Sequence, residues 1–254
     1  MAEGRALYDF AYMHMIDERL KELATLAEPE SWDYKCTECD RPNPILYYFF
    51  HYTYERIKEQ NKIATTADSS FCCFNTGLVT THQEPIFALF SKNREVGREP
   101  WRFVKFCRRG EFELSKFSNL PEIATYFEDP SCLVFDSRLE LRLNLEHIIT
   151  ENRDRFPEPF KSMADYALQV IVKGAIDNAK ERVKRNYKVA VPQYYKGSVQ
   201  LLLPLCLSNP NSADLALLLQ RHEGHYRAAT CLTLDMAYNN ARQLAKPDRE
   251  WLNP

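Results

Sequence analysis

The clearest pattern in the chain alternates leucine with polar residues between residues 139 and 145. The odd positions are all leucine, and the even positions include Glu140, Arg142 and Asn144. Because a strand points successive side chains to opposite faces, this alternation predicts a strand with one apolar and one polar face. The polar face would offer an acid, a guanidinium and an amide to a cleft. The alternative is a sheet that leaves this face to water.

Between about residues 161 and 186 the apolar positions recur at helical spacing. The predicted apolar stripe of this long helix is Ala164, Leu168, Ile171, Val172, Ala175, Ala179 and Val183. Arg182 falls on the edge of that stripe, with Asn178 and Arg185 beside it. A charge there needs a partner or a polar pocket, so Arg182 is expected to form a structural ion pair or to bind an anion.

The last part of the chain predicts three apolar strands from residue 198 to 232, with a hairpin turn at Glu223-Gly224, and then a helix over 235–242. Four polar residues share one face of that helix: Asp235, Tyr238, Asn239 and Arg242. We expect Asp235 to cap the helix. Tyr238, Asn239 and Arg242 together could read a base or a phosphate, although a solvated surface helix has the same pattern.

The first half of the chain mixes both periods. Helices are predicted over 5–27, 45–60 and 120–127, strands over 71–74, 85–90 and 101–106, and a turn at Asn75–Gly77. The strand that begins at Trp101 alternates rings with basic residues, which suits single-stranded nucleic acid or, as the favoured alternative, a charged edge strand.

Helices and strands therefore alternate without a regular βαβ rhythm. This predicts an α+β fold, with a mixed, mainly antiparallel sheet, a long packing helix and a helical N-terminal portion. We expect residues 1–43 to form an N-terminal helix and loop, and residues 44–254 to form a single α+β domain.

Composition narrows the function. Only seven of 254 residues are glycine, and no Gly-rich phosphate loop is present, which argues against Rossmann and P-loop sites. The net charge is −2, so any nucleic-acid binding must use a local patch. No apolar run of about 18 residues and no signal peptide is found, so we expect an intracellular, cytoplasmic protein with no membrane span and reduced thiols.

Metal and nucleophile signatures are weak. Cys36 and Cys39 have zinc-knuckle spacing but no second pair, and His222 and His225 flank a glycine turn, which predicts a surface hairpin. We predict no metal site. No nucleophile elbow is present, so Glu140 and His147 remain as candidate general bases. The sequence leaves the cofactor unknown.

Four runs of sequence form a further pattern: Phe74–Leu78, Glu84–Phe90, the Leu-Leu-Pro-Leu run at 202–205, and Leu232–Arg242. Together they resemble the uncharacterised family catalogued as domain of unknown function 3825, and the resemblance covers roughly residues 44–252. Gln243 stands where the family pattern has leucine. Members are associated with larger proteins that carry RNA-binding modules, so the resemblance implies work on RNA indirectly and supplies no catalytic residues.

Three hypotheses follow. The first is an RNA- or nucleotide-binding domain in RNA metabolism, with an arginine-rich phosphate pocket. Its phosphate would be held by Arg142, Arg182, Arg185 and Arg242, and its base read by Asn144, Tyr238 and Asn239. The second is a phosphoester- or nucleotide-processing enzyme that uses the same pocket with Glu140 or His147 as the base. The third is a protein-interaction domain that uses the aromatic surface of residues 45–54.

Overall fold

Two five-stranded sheets organise the chain in the computed structural model, which describes residues 5–34, 39–95, 97–247 and 251–252. The α+β prediction is confirmed, but the strands form two mixed sheets where one was expected. Internal contacts divide the chain into one unit that extends to Thr125 and another that begins at Tyr126. The division thus falls far from the boundary expected at residue 43.

Among its described residues the first unit holds three α-helices and five strands. They are α1 (Arg5–Phe10), β1 (Ala11–Tyr12), α2 (Ile16–Leu26), α3 (Pro44–Glu59), β2 (Ala64–Thr65), β3 (Phe71–Val79), β4 (Pro85–Lys92) and β5 (Trp101–Arg108). The sheet order is β1-β5-β4-β3-β2, and only the β1–β5 pair is parallel. The helix expected over 5–27 is interrupted by β1 and forms as α1 and α2. The helix expected over 120–127 is wrong, because those residues form no helix.

Aromatic side chains at helical spacing fasten α3 to this sheet. Phe50 and Tyr54, one turn apart, both pack on Phe74 of β3, with ring centroids 5.6 and 5.5 Å away. Phe74 in turn stacks on Phe90 of β4 at 5.5 Å. The predicted helix over 45–60 is therefore confirmed, and its apolar stripe forms the core of the first unit.

The expected turn at Asn75–Gly77 is a bulge inside β3. The register between β3 and β4 shifts between Asn75 and Val79, and Gly77 has φ 76°. The Asn75 side chain accepts a hydrogen bond from the Gly77 N–H at 3.0 Å, as it would in a turn. Glycine and asparagine thus signalled the unusual backbone correctly, but the chain continues as the same strand.

The second unit carries the other sheet. Its elements are β6 (Glu140–Leu143), α4 (Leu145–Glu151), α5 (Asp165–Arg185), β7 (Val191–Tyr195), β8 (Ser198–Leu205), β9 (Leu215–His222), β10 (His225–Leu232) and α6 (Leu234–Arg242). The sheet order is β6-β10-β9-β8-β7, with β6 parallel to β10 and the other pairs antiparallel. The predicted strand over 139–145 is shortened, because Leu145 begins α4.

The long helix α5 covers one face of this sheet, which we call the α5 face. Leu168, Val172, Ile176 and Val183 of the helix share a buried core with leucines of β8 and β9. The leucines of β6 pack against the same core, as their alternation predicted. Ala164 is the exception in the stripe, since it precedes the helix and is exposed.

The last helix, α6, packs on the opposite face, which we call the α6 face. Gln193 and Gln200 are register partners on β7 and β8, and Gln200 alternates with Leu201, which points into the α5 core. Gln193 accepts a hydrogen bond from Asn240 of α6 at 3.3 Å. The expected cap Asp235 is wrong: Thr233 caps α6 by accepting from the Met236 N–H at 3.3 Å.

Candidate functional site

A row of polar side chains crosses all five strands on the α6 face. Arg142 of β6 is in register with Arg227 of β10, and Arg227 with Gln220 of β9. Gln220 then lies opposite Gln200, because the next pair along is Leu219 with Leu201. Gln200 pairs with Gln193 of β7. We call these five residues the polar row. No alternation within one strand reveals it, since each strand contributes one member.

The polar row is open at one end and closed at the other. The Arg142 side chain is 60% exposed, whereas Gln200 is 9% exposed and Gln193 is fully buried. At the closed end Gln193 donates from Nε2 to Gln200 Oε1 at 2.9 Å, beneath α6. A ligand therefore has access to the β6–β10–β9 end, where the row presents Arg142, Arg227 and Gln220.

Two like charges stand side by side at the open end. Directly opposed side chains on neighbouring strands have Cβ atoms about 5 Å apart, and like charges there are destabilising. Arg142 donates from Nε to Glu140 Oε2 at 2.8 Å, in an ion pair exposed on both sides. Within the described part of the chain Arg227 has no ion pair. An anion that bridged the two guanidinium groups would relieve this repulsion.

A second row lies two residues further along the same strands, at the hairpin. Glu140 is in register with His225, and His225 with His222. The two imidazole rings are nearly parallel, with centroids 5.2 Å apart and 14° between their planes. We call Glu140, His225 and His222 the hairpin row. The predicted surface hairpin is confirmed, with Gly224 at φ 77° in its turn.

Arg182 and Arg185 lie away from the polar row, because both belong to α5 on the other side of the sheet. Arg182 donates to the Cys206 Sγ at 3.6 Å and to the Pro210 carbonyl. Arg182 thus holds the loop after β8 on the helix. Neither the ion pair nor the anion site expected for it is formed by these contacts. Arg185 is exposed and pairs with Glu181 at 3.5 Å.

Arg182 does line a cavity, but a small one. Its volume is about 170 Å³, and Asn178 and Cys206 are among its other lining residues. Sites for drug-sized ligands usually measure about 300–1,000 Å³, so a nucleotide would not fit. Burial raises the pKa of the Cys206 thiol, and the neighbouring guanidinium offsets only part of that rise. The thiol is therefore not activated as a nucleophile.

The α6 candidates share the sheet face of Arg142 but lie at its closed end. Tyr238 and Arg242 are buried, at 5% and 9% exposure, and Asn239 is half-buried. The helix packs mainly on β7, whereas Arg142 is on β6, the opposite edge of the sheet. Four strand spacings separate these edges, about 19 Å. The predicted single pocket of converging arginines is not formed.

The two candidate bases are also separated. Glu140 begins β6 on the α6 face, whereas His147 lies in the first turn of α4, which packs on the α5 face. Six residues lie between them, including the rest of β6. Asn144 caps α4 by accepting from the His147 N–H at 3.2 Å. Acid–base chemistry by Glu140 and His147 on one reacting group is thus not supported by their positions.

The basic and aromatic strand of the first unit is β5. Phe103 and Phe106 are buried, and Lys105 pairs with Glu111 at 2.5 Å and Glu113 at 3.1 Å. The hydrogen bonds that the Lys105 ammonium donates to these carboxylates raise its pKa. β5 pairs with β4 along its length but with the two-residue β1 only at Trp101 and Arg102, so within the described residues its other side has no partner strand beyond them, as the favoured edge-strand prediction expects. Its rings are core and its lysine is neutralised.

Metal ligands do not cluster in the described residues: no group of three or more His, Cys, Asp or Glu is placed to hold an ion. Cys36 of the zinc-knuckle pair lies outside those residues, and Cys39 is exposed. Burial raises the pKa of the Cys231 thiol to about 12. Among the helices that are described, none combines the length and apolar character needed to cross a bilayer.

Arg227 and Gln220 complete the open end of the polar row, and sequence reasoning missed both. Alternation over 225–232 does show that Arg227 points away from buried Tyr226. What the sequence does not show is that β10 pairs with β6, some 85 positions away, and in parallel. The sequence therefore indicates on which face of its own strand each residue lies, but not that the residues of different strands lie next to one another.

Comparison with known proteins gives a family but no activity. The model of a family described as a domain of unknown function, DUF3825, matches residues 23–251. This confirms the resemblance noted in the sequence and extends it towards the N-terminus. No curated protein and no solved structure matches the chain.

Proposed function

The chain belongs to the DUF3825 family, whose description assigns no activity, and we propose from the sheet geometry that it binds RNA or a nucleotide through Arg142 and Arg227. The observation that carries this proposal is the register pairing of the two arginines on an open sheet face. A phosphate can accept from both guanidinium groups at once, and Arg suits such planar, multidentate contacts.

The neighbouring side chains favour a nucleic acid over a free inorganic anion. Gln220, next in the polar row, offers both amide donors and a carbonyl acceptor, which is what a base edge requires. Flat sheet surfaces with cations and rings are a recurring solution for single-stranded RNA. Phosphate contacts supply the affinity and the row beside them supplies groups for reading a base.

The test compares binding of a short fluorescent single-stranded RNA by the whole chain and its variants. We expect Arg142→Ala and Arg227→Ala each to weaken binding about fivefold, equivalent to about 1 kcal/mol for an exposed charge. Arg185→Ala is the matched control, because it is also an exposed arginine beside a glutamate, but on the α5 face. It should bind as the unmodified protein does.

Affinity unchanged from the unmodified protein in all three variants would refute the proposal. Equal weakening in all three would mean that net charge, and not this site, controls binding. The enzyme hypothesis remains the alternative in function, although no arrangement of residues favours it. Turnover of the same RNA that disappears in Glu140→Ala but persists in Arg227→Ala would support it instead.

A further inference from the structure

The hairpin row has no part in the phosphate contact, yet its two histidines are arranged as a stack. His222 and His225 close the β9–β10 hairpin and face the same side of the sheet as Arg227. Their rings are 14° from parallel at 5.2 Å. His222 is exposed and His225 half-exposed, so both imidazole side chains are accessible to solvent.

We propose that the His222–His225 pair is the stacking platform for an unpaired nucleobase whose phosphate lies on Arg142 and Arg227. This inference rests on the proposed function and names its ligand class, single-stranded RNA. His225 and Arg227 are two residues apart on one strand face, about 7 Å at the usual rise of a strand. That is a span a ribose bridges between a base and its phosphate.

Charge fixes which end of the nucleotide lies where. The hairpin row carries the Glu140 carboxylate, and Glu223 lies in the turn beside it. A phosphate at the hairpin would meet these carboxylates alone, whereas one row away it meets Arg227 and the terminal nitrogens of Arg142, whose Nε pairs with Glu140. The base is therefore directed to the hairpin and the phosphate to the polar row. Because a duplex hides the faces of its bases, only an unpaired nucleotide can use both rows.

A metal-binding role for the two histidines lacks ligands. Zinc needs three or four protein ligands at tetrahedral positions. Within the described residues the pair and its neighbours do not form a metal-binding group. Stacking needs only an accessible ring, and both histidines are at least partly exposed.

The experiment uses two probes of equal length, a single-stranded RNA and an oligonucleotide of the same backbone without bases. We expect His222→Ala and His225→Ala to weaken RNA binding about fivefold or more, as loss of base stacking does. Both variants should bind the abasic probe as the unmodified protein does. His225→Phe keeps a ring without a charge and should retain RNA binding. His82→Ala, an exposed histidine of the first unit, is the control.

The possible results distinguish failure of the stacking inference from failure of the proposed RNA-binding function. If the alanine variants weaken both probes equally, the histidines act on phosphate and the stacking inference is overturned. If they bind both probes normally while Arg227→Ala fails, the phosphate site stands and the platform does not. If Arg142→Ala and Arg227→Ala also bind normally, the proposed function itself is lost. Thermal melting of each variant distinguishes lost contacts from lost folding.

Discussion

Asn144 shows how one polar residue can satisfy two different hypotheses. Its side chain was expected to read a ligand from the polar face of β6. In the structure it accepts from the His147 N–H at 3.2 Å and caps α4. Helices leave their first N–H groups without partners, and asparagine is among the best residues to satisfy them. A local structural role accounts for this residue without a ligand.

This role predicts a separation of stability from binding. Asn144→Ala should lower the free energy of unfolding by about 1 kcal/mol, because an N–H of α4 loses its acceptor. Asn144→Asp keeps an acceptor and should preserve stability. Urea unfolding measures both, and RNA affinity should be unchanged in each. A loss of affinity without a loss of stability would return Asn144 to the binding site.

Residue-scale chemistry also explains why the capping residue of α6 was predicted wrongly. Thr233 and Asp235 are both good capping residues, and they lie two positions apart. Periodicity identifies the helix that follows, but it does not fix the first turn. The prediction of a helix over 235–242 was therefore confirmed, whereas its capping residue was not.

At the scale of elements, α6 is attached to the sheet by a chain of amides, of which Gln193 and Gln200 are buried and Asn240 is half-buried. Asn240 donates to Gln193 at 3.3 Å, and Gln193 donates to Gln200 at 2.9 Å. Each buried amide that loses its partner costs about 1–3 kcal/mol, whereas removing both partners of a bond together costs much less. The chain is therefore expected to be strongly coupled.

A double-mutant cycle tests this coupling. Gln193→Leu should destabilise the protein by about 2 kcal/mol or more, since Gln200 and Asn240 both lose a partner. Adding Gln200→Leu should recover part of that loss, which gives a coupling energy of about 1 kcal/mol in urea unfolding. Gln220→Leu, in the same row but half-exposed, should change stability by less than about 0.5 kcal/mol. Additive losses in the pair would contradict a coupled chain.

The sequence predicts individual helices and strands of the site but not which strands are neighbours. The leucine alternation identified β6 and its two faces, and the stripe identified α5 over almost its full length. Neither pattern carries the identity of a neighbouring strand. Arg142 was found because its own strand is regular, whereas Arg227 becomes relevant only through the parallel β6–β10 pairing.

At the scale of the whole molecule, each sheet builds its own core. Aromatic rings of α3, β3 and β4 fill the first, and leucines of β8 and β9 with α5 fill the second. The α+β class follows from local periods and was predictable. The assignment of ten strands to two sheets depends on long-range pairing, so the expected single sheet was not obtained.

At the scale of the whole molecule, the net charge of −2 means that overall electrostatic attraction cannot hold RNA to this chain. The salt dependence of binding should therefore report the local contacts alone. Because the two guanidinium groups hold one phosphate, binding should give a slope of about −0.7 in log affinity against log salt, the value for one phosphate of a single strand. Arg142→Ala/Arg227→Ala should bring this slope close to zero.

The control for that slope removes the same charge from elsewhere. Arg102→Ala/Arg185→Ala also takes the net charge from −2 to −4, since two arginines are lost. Arg102 is exposed on β5 in the first unit, and Arg185 is exposed on the α5 face. If the slope follows net charge, both pairs will change it equally, and the site has no local identity. If only the control pair flattens it, RNA lies on β5 or α5. If the slope changes only in Arg142→Ala/Arg227→Ala, the phosphate is assigned to the open end of the polar row, because both double variants have the same net charge.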